Sequence, residues 1–230
     1  THPRRLCELV RELGADVGFA FDGDADRLMA VDERGQLING DQVMAMLALY
    51  LKEQGRLRAN TLVATVMSNM GLDIAMKKHG VKMEKTKVGD RYVLEKMLAD
   101  GFVLGGEQSG HVIMLDYNTT GDGLVTAVQV ISAMVKAQQP LSRLAGVMQT
   151  MPQSQYAANV DDKKKFDFDK NEKITAMIAE LEKKYKEKGR IVVRASGTEP
   201  RVRVMIEGPD QREMDRDVYA LSKLIEKELA

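Results

Sequence analysis

The chain has 230 residues, 44% of them hydrophobic, which is enough to bury one sizeable core or two smaller ones; since domains usually hold about 100–200 residues, two are expected. Lys plus Arg and Asp plus Glu both number 34, so the overall charge gives no reason to expect a nucleic acid or an anionic membrane as partner, and any attraction for anions must be local. The single Cys7 excludes an internal disulfide, and with neither a signal-peptide pattern nor an apolar run long enough to cross a bilayer the sequence reads as cytoplasmic.

The chain opens on Thr1-His2-Pro3-Arg4-Arg5 and runs straight into a helix without a preceding strand or an initiator Met, the start expected of a piece of a longer protein. Leu6, Leu9, Val10 and Leu13 fall on one helical face, with Gly14 as the C-cap. Val17 to Phe21 and Leu28 to Val31 read as strands, the second closed by Asp32-Glu33-Arg34-Gly35. An apolar helix follows between Asp41 and Lys52, then a strand from Thr61 to Val66 and a helix from Leu72 to His79. Tyr92 to Leu98 reads as a helix, Phe102 to Leu104 and Val112 to Leu115 as strands, and Gly123 to Lys136 as a long helix. This alternation predicts a layered mixed-sheet α/β domain. Met44, Met46, Met67, Met76 and Met97 sit in ordinary apolar patterns and are read as core. Composition turns polar at Pro152 to Tyr156, and Asp161-Asp162-Lys163-Lys164-Lys165 reads as a solvated turn. Beyond it lie a helix from Asn171 to Lys186, strands at Arg190 to Val193 and Arg201 to Glu207, and a final helix from Asp210 to Leu229, a smaller α+β domain.

Three loops carry the chemistry. In Asp22-Gly23-Asp24-Ala25-Asp26-Arg27, directly after an apolar strand, the three carboxylates recur at every second position and can point to one side. Their mutual repulsion calls for a hard cation, and an all-oxygen donor set suits Mg²⁺. A calcium EF-hand fits less well, because Arg27 stands where its loop requires Gly. Phe19-Ala20-Phe21-Asp22-Gly23-Asp24 also resembles the strand and Asp-x-Asp of haloacid-dehalogenase-type phosphatases, in which Asp22 would be the nucleophile. Asp26 departs from that signature, and Gly121-Asp122-Gly123 lacks the further acid its metal site needs.

In Gly105-Gly106-Glu107-Gln108-Ser109-Gly110-His111, between two strands, Glu107, Ser109 and His111 alternate and could share a face, a set able to read vicinal sugar hydroxyls; a plain Gly-rich hairpin is the alternative. In Arg194-Ala195-Ser196-Gly197-Thr198-Glu199-Pro200, small hydroxylated residues can offer N–H and O–H donors to one phosphate, while Arg194 and Arg203 supply forked charge-assisted bonds. His2 and His79 are read as surface residues.

In this order, the three loops resemble those of the α-D-phosphohexomutase superfamily over the whole chain, and Gln108 together with Val88-Gly89-Asp90-Arg91-Tyr92-Val93 points to its phosphoglucosamine mutase branch. The resemblance implies Mg²⁺ on Asp22, Asp24 and Asp26 beside a phosphoserine, with Arg27 near the transferring phosphoryl. It implies Glu107 and Ser109 on the sugar hydroxyls, with His111 in the same substrate set, and Arg194, Ser196, Gly197, Thr198 and Arg203 on the non-reacting phosphate. Asp90 and Arg91 match a position where related mutases carry a candidate proton carrier. Of the four domains of the family, the chain would hold the end of the second (1–39), the third (40–152) and the fourth (153–230). The Thr/Ser-Ala-Ser-His-Asn-Pro-type loop that bears the phosphoserine is not in the sequence; Ser68-Asn69-Met70 lacks its His and Pro. The implied reaction interconverts glucosamine 6-phosphate and glucosamine 1-phosphate through glucosamine 1,6-bisphosphate, with a phosphorylated amino sugar as partner and a homodimer left open. The chain alone is expected to bind without turnover. An Asp-nucleophile sugar phosphatase and a sugar-phosphate binding module are the other readings.

Overall fold

The structure, a computed structural model, describes residues 3–230; Thr1 and His2, and with them the surface position expected for His2, lie outside the described residues. Two compact units divide after Thr150. The first runs α1 (Arg4–Leu13), β1 (Val17–Phe21), β2 (Leu28–Asp32), β3 (Leu37–Ile38), α2 (Gly40–Glu53), β4 (Thr61–Thr65), α3 (Met70–Lys78), β5 (Lys82–Thr86), α4 (Asp90–Asp100), β6 (Leu104–Gly106), β7 (Val112–Met114), α5 (Gly123–Ala137) and α6 (Leu141–Ala145). The second holds β8 (Gln153–Asn159), α7 (Glu172–Tyr185), β9 (Arg190–Ala195), β10 (Arg201–Glu207) and α8 (Gln211–Glu228). The expected fold class, a mixed-sheet α/β layer followed by a smaller α+β unit, is what the chain adopts. No described helix is long and apolar enough to cross a membrane.

Two sheets build the first unit. β1, β2 and β3 form an antiparallel meander, and β5-β4-β6-β7 form a mixed sheet in which β4 runs parallel to both β5 and β6 while β6 and β7 make an antiparallel hairpin. The central β4 is buried along its whole length, which is why it reads as an unbroken apolar run. Between the sheets lies α2, apolar on almost every side and buried from Val43 to Ala48, as a helix wrapped by core must be. It touches β2 of one sheet, β4 and β6 of the other, and α3, α5 and α6. Asn39 starts it with a capping box, its side chain accepting from Gln42 N–H while the Gln42 side chain accepts from Asn39 N–H.

Within the first unit, the segments before and after position 39 pack together. Leu28, Ala30 and Ile38 belong to the same apolar cluster as Val43, Met44 and Leu47, so the first 39 residues have no separate core. They are also tied down at the β2–β3 turn, where Glu33 accepts hydrogen bonds from the Ser142 hydroxyl and, at 3.2 Å, from the Ser142 N–H on the first turn of α6.

In the second unit the antiparallel sheet β8-β10-β9 carries Val202, Val204 and Ile206 on its core side, and Ile174, Val218, Leu221 and Ile225 of the two helices complete the cluster. The charge cluster before α7 is exposed except at Lys165, which turns inward and pairs with Asp162 at 2.9 Å. The sequence did not announce β3, β5, α6, β8 or a short 3-10 turn at Arg58–Asn60.

Candidate functional site

The acidic loop begins where β1 ends. The Asp22 carbonyl accepts from Ala25 N–H at 3.2 Å, and Ala25 takes a left-handed φ of 58°, so the chain reverses tightly instead of continuing as a strand. The Ala25 carbonyl accepts from Gly123 N–H at 2.9 Å, at the start of α5, which fixes the turn from below. A side chain at Gly123 would stand 2.7 Å from the Phe21 ring and 2.8 Å from the Arg27 carbonyl, so that approach needs glycine. The result brings carboxylate oxygens of Asp22, Asp24 and Asp26 within 4.8 Å of one another. Arg27 supplies part of the counter-charge: its N–H donates to Asp22 at 3.2 Å, and its Nε lies 3.6 Å from Asp22 and 3.8 Å from Asp26. Asp26 Oδ1 is buried and has no hydrogen-bond donor among the described residues. Three hard oxygen ligands, one of them desolvated and unsatisfied, fit Mg²⁺.

The second loop is the tip of the β6–β7 hairpin, closed by Glu107 N–H to the His111 carbonyl at 2.9 Å and Gly110 N–H to the Glu107 carbonyl at 3.0 Å. It is clamped on both sides. Leu28 N–H donates to the Gly110 carbonyl at 3.0 Å and Gly40 N–H to the Gln108 carbonyl at 3.1 Å, while a Cβ on Gly40 would meet the Glu107 carbonyl at 2.2 Å. Ser109 is exposed at the tip and Glu107 half-buried, its Oε1 accepting from Gly89 N–H at 3.1 Å. Gly89 holds a φ of 130° and starts α4, so the Gly89-Asp90-Arg91 segment adjoins the sugar loop through Glu107. Asp90 is exposed there; Arg91 extends along α4 to pair with Glu95 at 2.7 Å and is not turned back to the hairpin.

His111 does not share the face of Glu107 and Ser109. Gly110, at φ 95°, reverses the chain between them, and His111 is 2% exposed with Nδ1 at 2.9 Å from Asp26 and Nε2 at 3.1 Å from Gly121 N. The structure thus brings His111 against the acidic loop as well as to the end of the hairpin. Asp122 is engaged as the N-cap of α5, accepting from Val125 N–H at 2.9 Å and from Asn118 at 3.2 Å, and so supplies no further metal ligand for a phosphatase. What the sequence did not indicate is the role of Gly40, Gly89 and Gly121 as close backbone neighbours of the loops, which becomes visible only once the pairing is known.

In the second unit, Arg194 of β9 stands directly opposite Arg203 of β10. The turn between them is closed by Ser196 N–H to the Arg201 carbonyl at 2.8 Å, with Ser196 buried and its Oγ accepting from Glu199 N–H at 3.3 Å. Gly197 and Thr198 are exposed at the tip, and a side chain at Gly197 would meet nothing. Glu199 pairs with Arg203 at 2.6 Å and Arg201 at 3.2 Å; the hydrogen bond from Arg203 and the charge of Arg201 hold its carboxyl below the usual range. Two facing arginines thus stand beside a turn of small hydroxylated residues with Gly197 and Thr198 exposed, an arrangement that could receive an anion.

Three domain models match the chain in succession: phosphoglucomutase/phosphomannomutase alpha/beta/alpha domain II over residues 2–35, alpha/beta/alpha domain III over 39–151, and the C-terminal domain over 157–219. The phosphoglucosamine mutase of Ruminiclostridium cellulolyticum is 56% identical over all 230 residues, and that of Clostridium botulinum 56% identical over 98% of the chain. The chain spans about half the length of these curated relatives, 51% and 50%. Among solved structures, a phosphoglucomutase/phosphomannomutase family protein from Burkholderia thailandensis matches 98% of the chain and 50% of its own with a TM-score of 0.77 at 22% identity. An Aspergillus fumigatus N-acetylphosphoglucosamine mutase, solved in complex with GlcNAc-6P and magnesium, matches 92% of the chain and 49% of its own with a TM-score of 0.75 at 19% identity. At those identities the two structures speak for the fold.

Proposed function

The chain belongs to the phosphoglucomutase/phosphomannomutase family, and from that premise we propose that it is the metal-, sugar- and phosphate-holding part of a phosphoglucosamine mutase, an isomerase of the cytoplasm that interconverts glucosamine 6-phosphate and glucosamine 1-phosphate. The observation that carries the reading is the clamping of the Asp22, Asp24, Asp26 loop and the Glu107, Ser109 hairpin into one unit, so that cation and sugar ligands are held on a common frame.

Each set of residues has a task of its own. Asp22, Asp24 and Asp26 would hold Mg²⁺, which when bound offsets charge that develops on a transferring phosphoryl group. Arg27, with its side chain half exposed beside the cluster, adds positive charge on the solvent side of the loop. Glu107 accepts and Ser109 donates and accepts hydrogen bonds, the pairing that vicinal sugar hydroxyls require. Arg194 and Arg203, with the hydroxyls of Ser196 and Thr198 and the N–H groups of Gly197 and Thr198, would grip the phosphate that does not react. Asp90, exposed beside Gly89, is the nearer candidate for proton handling, while Arg91 would have to release Glu95 to take part. The phosphoserine that donates and recovers the phosphoryl group, with glucosamine 1,6-bisphosphate as the intermediate, lies outside this sequence, so the chain alone binds without turnover.

Phosphorus NMR of the chain with glucosamine 6-phosphate and Mg²⁺ tests the reading. A broadened or shifted substrate line with no new species supports it. Free phosphate that accumulates, and disappears in Asp22→Asn, would instead assign an Asp-nucleophile phosphatase.

A further inference from the structure

α2 begins at the hairpin tip, where Gly40 N–H donates to the Gln108 carbonyl, and α5 begins at the acidic loop, where Gly123 N–H donates to the Ala25 carbonyl. With 14 and 15 residues, the two helices run roughly 20 Å away from those loops. At their far ends they open a cleft of about 610 Å³, a volume in the range of small-molecule sites. α6 and the end of α3 supply its other walls, and all of its lining belongs to the first unit.

The cleft has an apolar body and a charged lining. Met46, Leu49, Tyr50, Leu144 and Val147 face it, and the last four stay half-buried where the helices part, apolar surface that an occupant would remove from water. Lys52, His79 and Arg143 face it as well, against Glu53 as the one acid. The helix ends around it need no cation from outside. Lys52 donates to the carbonyls of His79 and, at 3.2 Å, Gly80 at the end of α3, and the Met134 and Val135 carbonyls of α5 accept from Gln138 N–H. The Arg143 guanidinium makes no hydrogen bond or ion pair among the described residues, which leaves its planar fork open to an incoming anion.

We propose that this cleft is a binding site for a small amphipathic organic anion, a medium-chain or aromatic carboxylate, with the apolar body between α2 and α6 and the carboxylate on Arg143. It is separate from the three loops and does not depend on what they hold.

Octanoate is the probe, titrated into the full chain labelled with ¹³C at the methionine methyl groups. Met46 lines the cleft, whereas Met214 lies in the core of the second unit. The expected result is a saturable shift of the Met46 signal with Met214 unmoved. Arg143→Glu should weaken the binding by about tenfold or more, the scale of one charge-assisted hydrogen bond. Octyltrimethylammonium, with the same chain and the opposite charge, should bind more weakly than octanoate by a similar factor. A shift that does not saturate, or that is as large at Met214, would mean that octanoate only coats apolar surface, and would overturn the proposal. Equal affinity in Arg143→Glu, or equal affinity for the two ligands, would overturn it too, because charge would then not select the occupant. Arg143 is exposed, so its replacement should leave the packing of α6 in place. Should the variant fail to fold, the comparison of the two ligands on the unaltered chain decides.

Discussion

Arg194 and Arg203 face each other across an antiparallel pair, where like charges repel. Glu199 supplies counter-charge to Arg203, and a phosphate would supply more, with geometry that a guanidinium fork matches. Arg194→Ala should therefore weaken binding of glucosamine 6-phosphate by about 1.5–3 kcal/mol, the scale of a charge-assisted hydrogen bond. Isothermal titration calorimetry measures it, and an unchanged affinity would mean that this loop holds something else. At this scale the sequence was readable wherever residues act in one local stretch: the every-second-residue spacing of Asp22, Asp24 and Asp26 does translate into converging carboxylates. It was unreadable at His111, because alternation assumes an extended chain and Gly110 turns it. Nothing in the spacing announces that Asp26 and His111, 85 positions apart, are neighbours.

The elements hold these side chains by a few specific ties, and each can be cut. Glu33 fastens the β2–β3 turn to the first turn of α6. Burial pushes its carboxyl up, but the hydrogen bonds from Ser142, with a backbone hydrogen bond at Glu33 itself and the charge of Arg34, together outweigh this and hold it below the usual range. A lowered folded-state value contributes stability that is present above the unfolded carboxylate range and is lost as pH falls through the folded one. Glu33→Ala should cost about 1–2 kcal/mol near neutral pH, with the gap to the unaltered chain narrowing in acid; urea unfolding at several pH values gives the comparison. A gap independent of pH would mean that packing, not the charged hydrogen bond, makes the tie. Gly40→Ala acts on the hairpin seat. The new methyl group meets backbone of Glu107 and Gly110, which cannot step aside as a side chain would. A loss of about 1–3 kcal/mol is expected, as for other overpacked sites, together with weaker sugar-phosphate binding. The elements legible in the sequence are those with strong periodicity or caps, such as α2, β4 and α5. β5 and β8 were missed because Lys-Met-Glu-Lys-Thr and Gln-Ser-Gln-Tyr-Ala-Ala-Asn carry few apolar residues. Both are edge strands, where one side needs no partner and polar side chains are tolerated.

On the scale of the whole molecule, each unit has a core of its own, one around α2 and one between the β8-β10-β9 sheet and its two helices. The turn proposed to hold phosphate, with Arg194 and Arg203, lies wholly within the second. Residues 151–230 expressed alone should therefore unfold in one cooperative transition and retain weak phosphate binding, read by thermal melting with and without phosphate. A stretch that stays unfolded would show that its core depends on the rest of the chain. The change of unit after Thr150 leaves a mark in the sequence, the polar composition at Pro152 to Tyr156, whereas the packing of the first 39 residues against α2 leaves none, because a shared core is not visible in either segment alone.

If this sequence is the metal-, sugar- and phosphate-holding part of a phosphoglucosamine mutase, it should support turnover once the rest of such an enzyme is supplied. The most direct measurement joins it to the part of the R. cellulolyticum relative that it does not span, and follows glucosamine 6-phosphate by phosphorus NMR with Mg²⁺ and a trace of glucosamine 1,6-bisphosphate. The account predicts that glucosamine 1-phosphate appears, and that Asp24→Asn in the joined protein abolishes it. A joined protein that folds and binds Mg²⁺ yet forms no glucosamine 1-phosphate, while the intact relative does so under the same conditions, would contradict it.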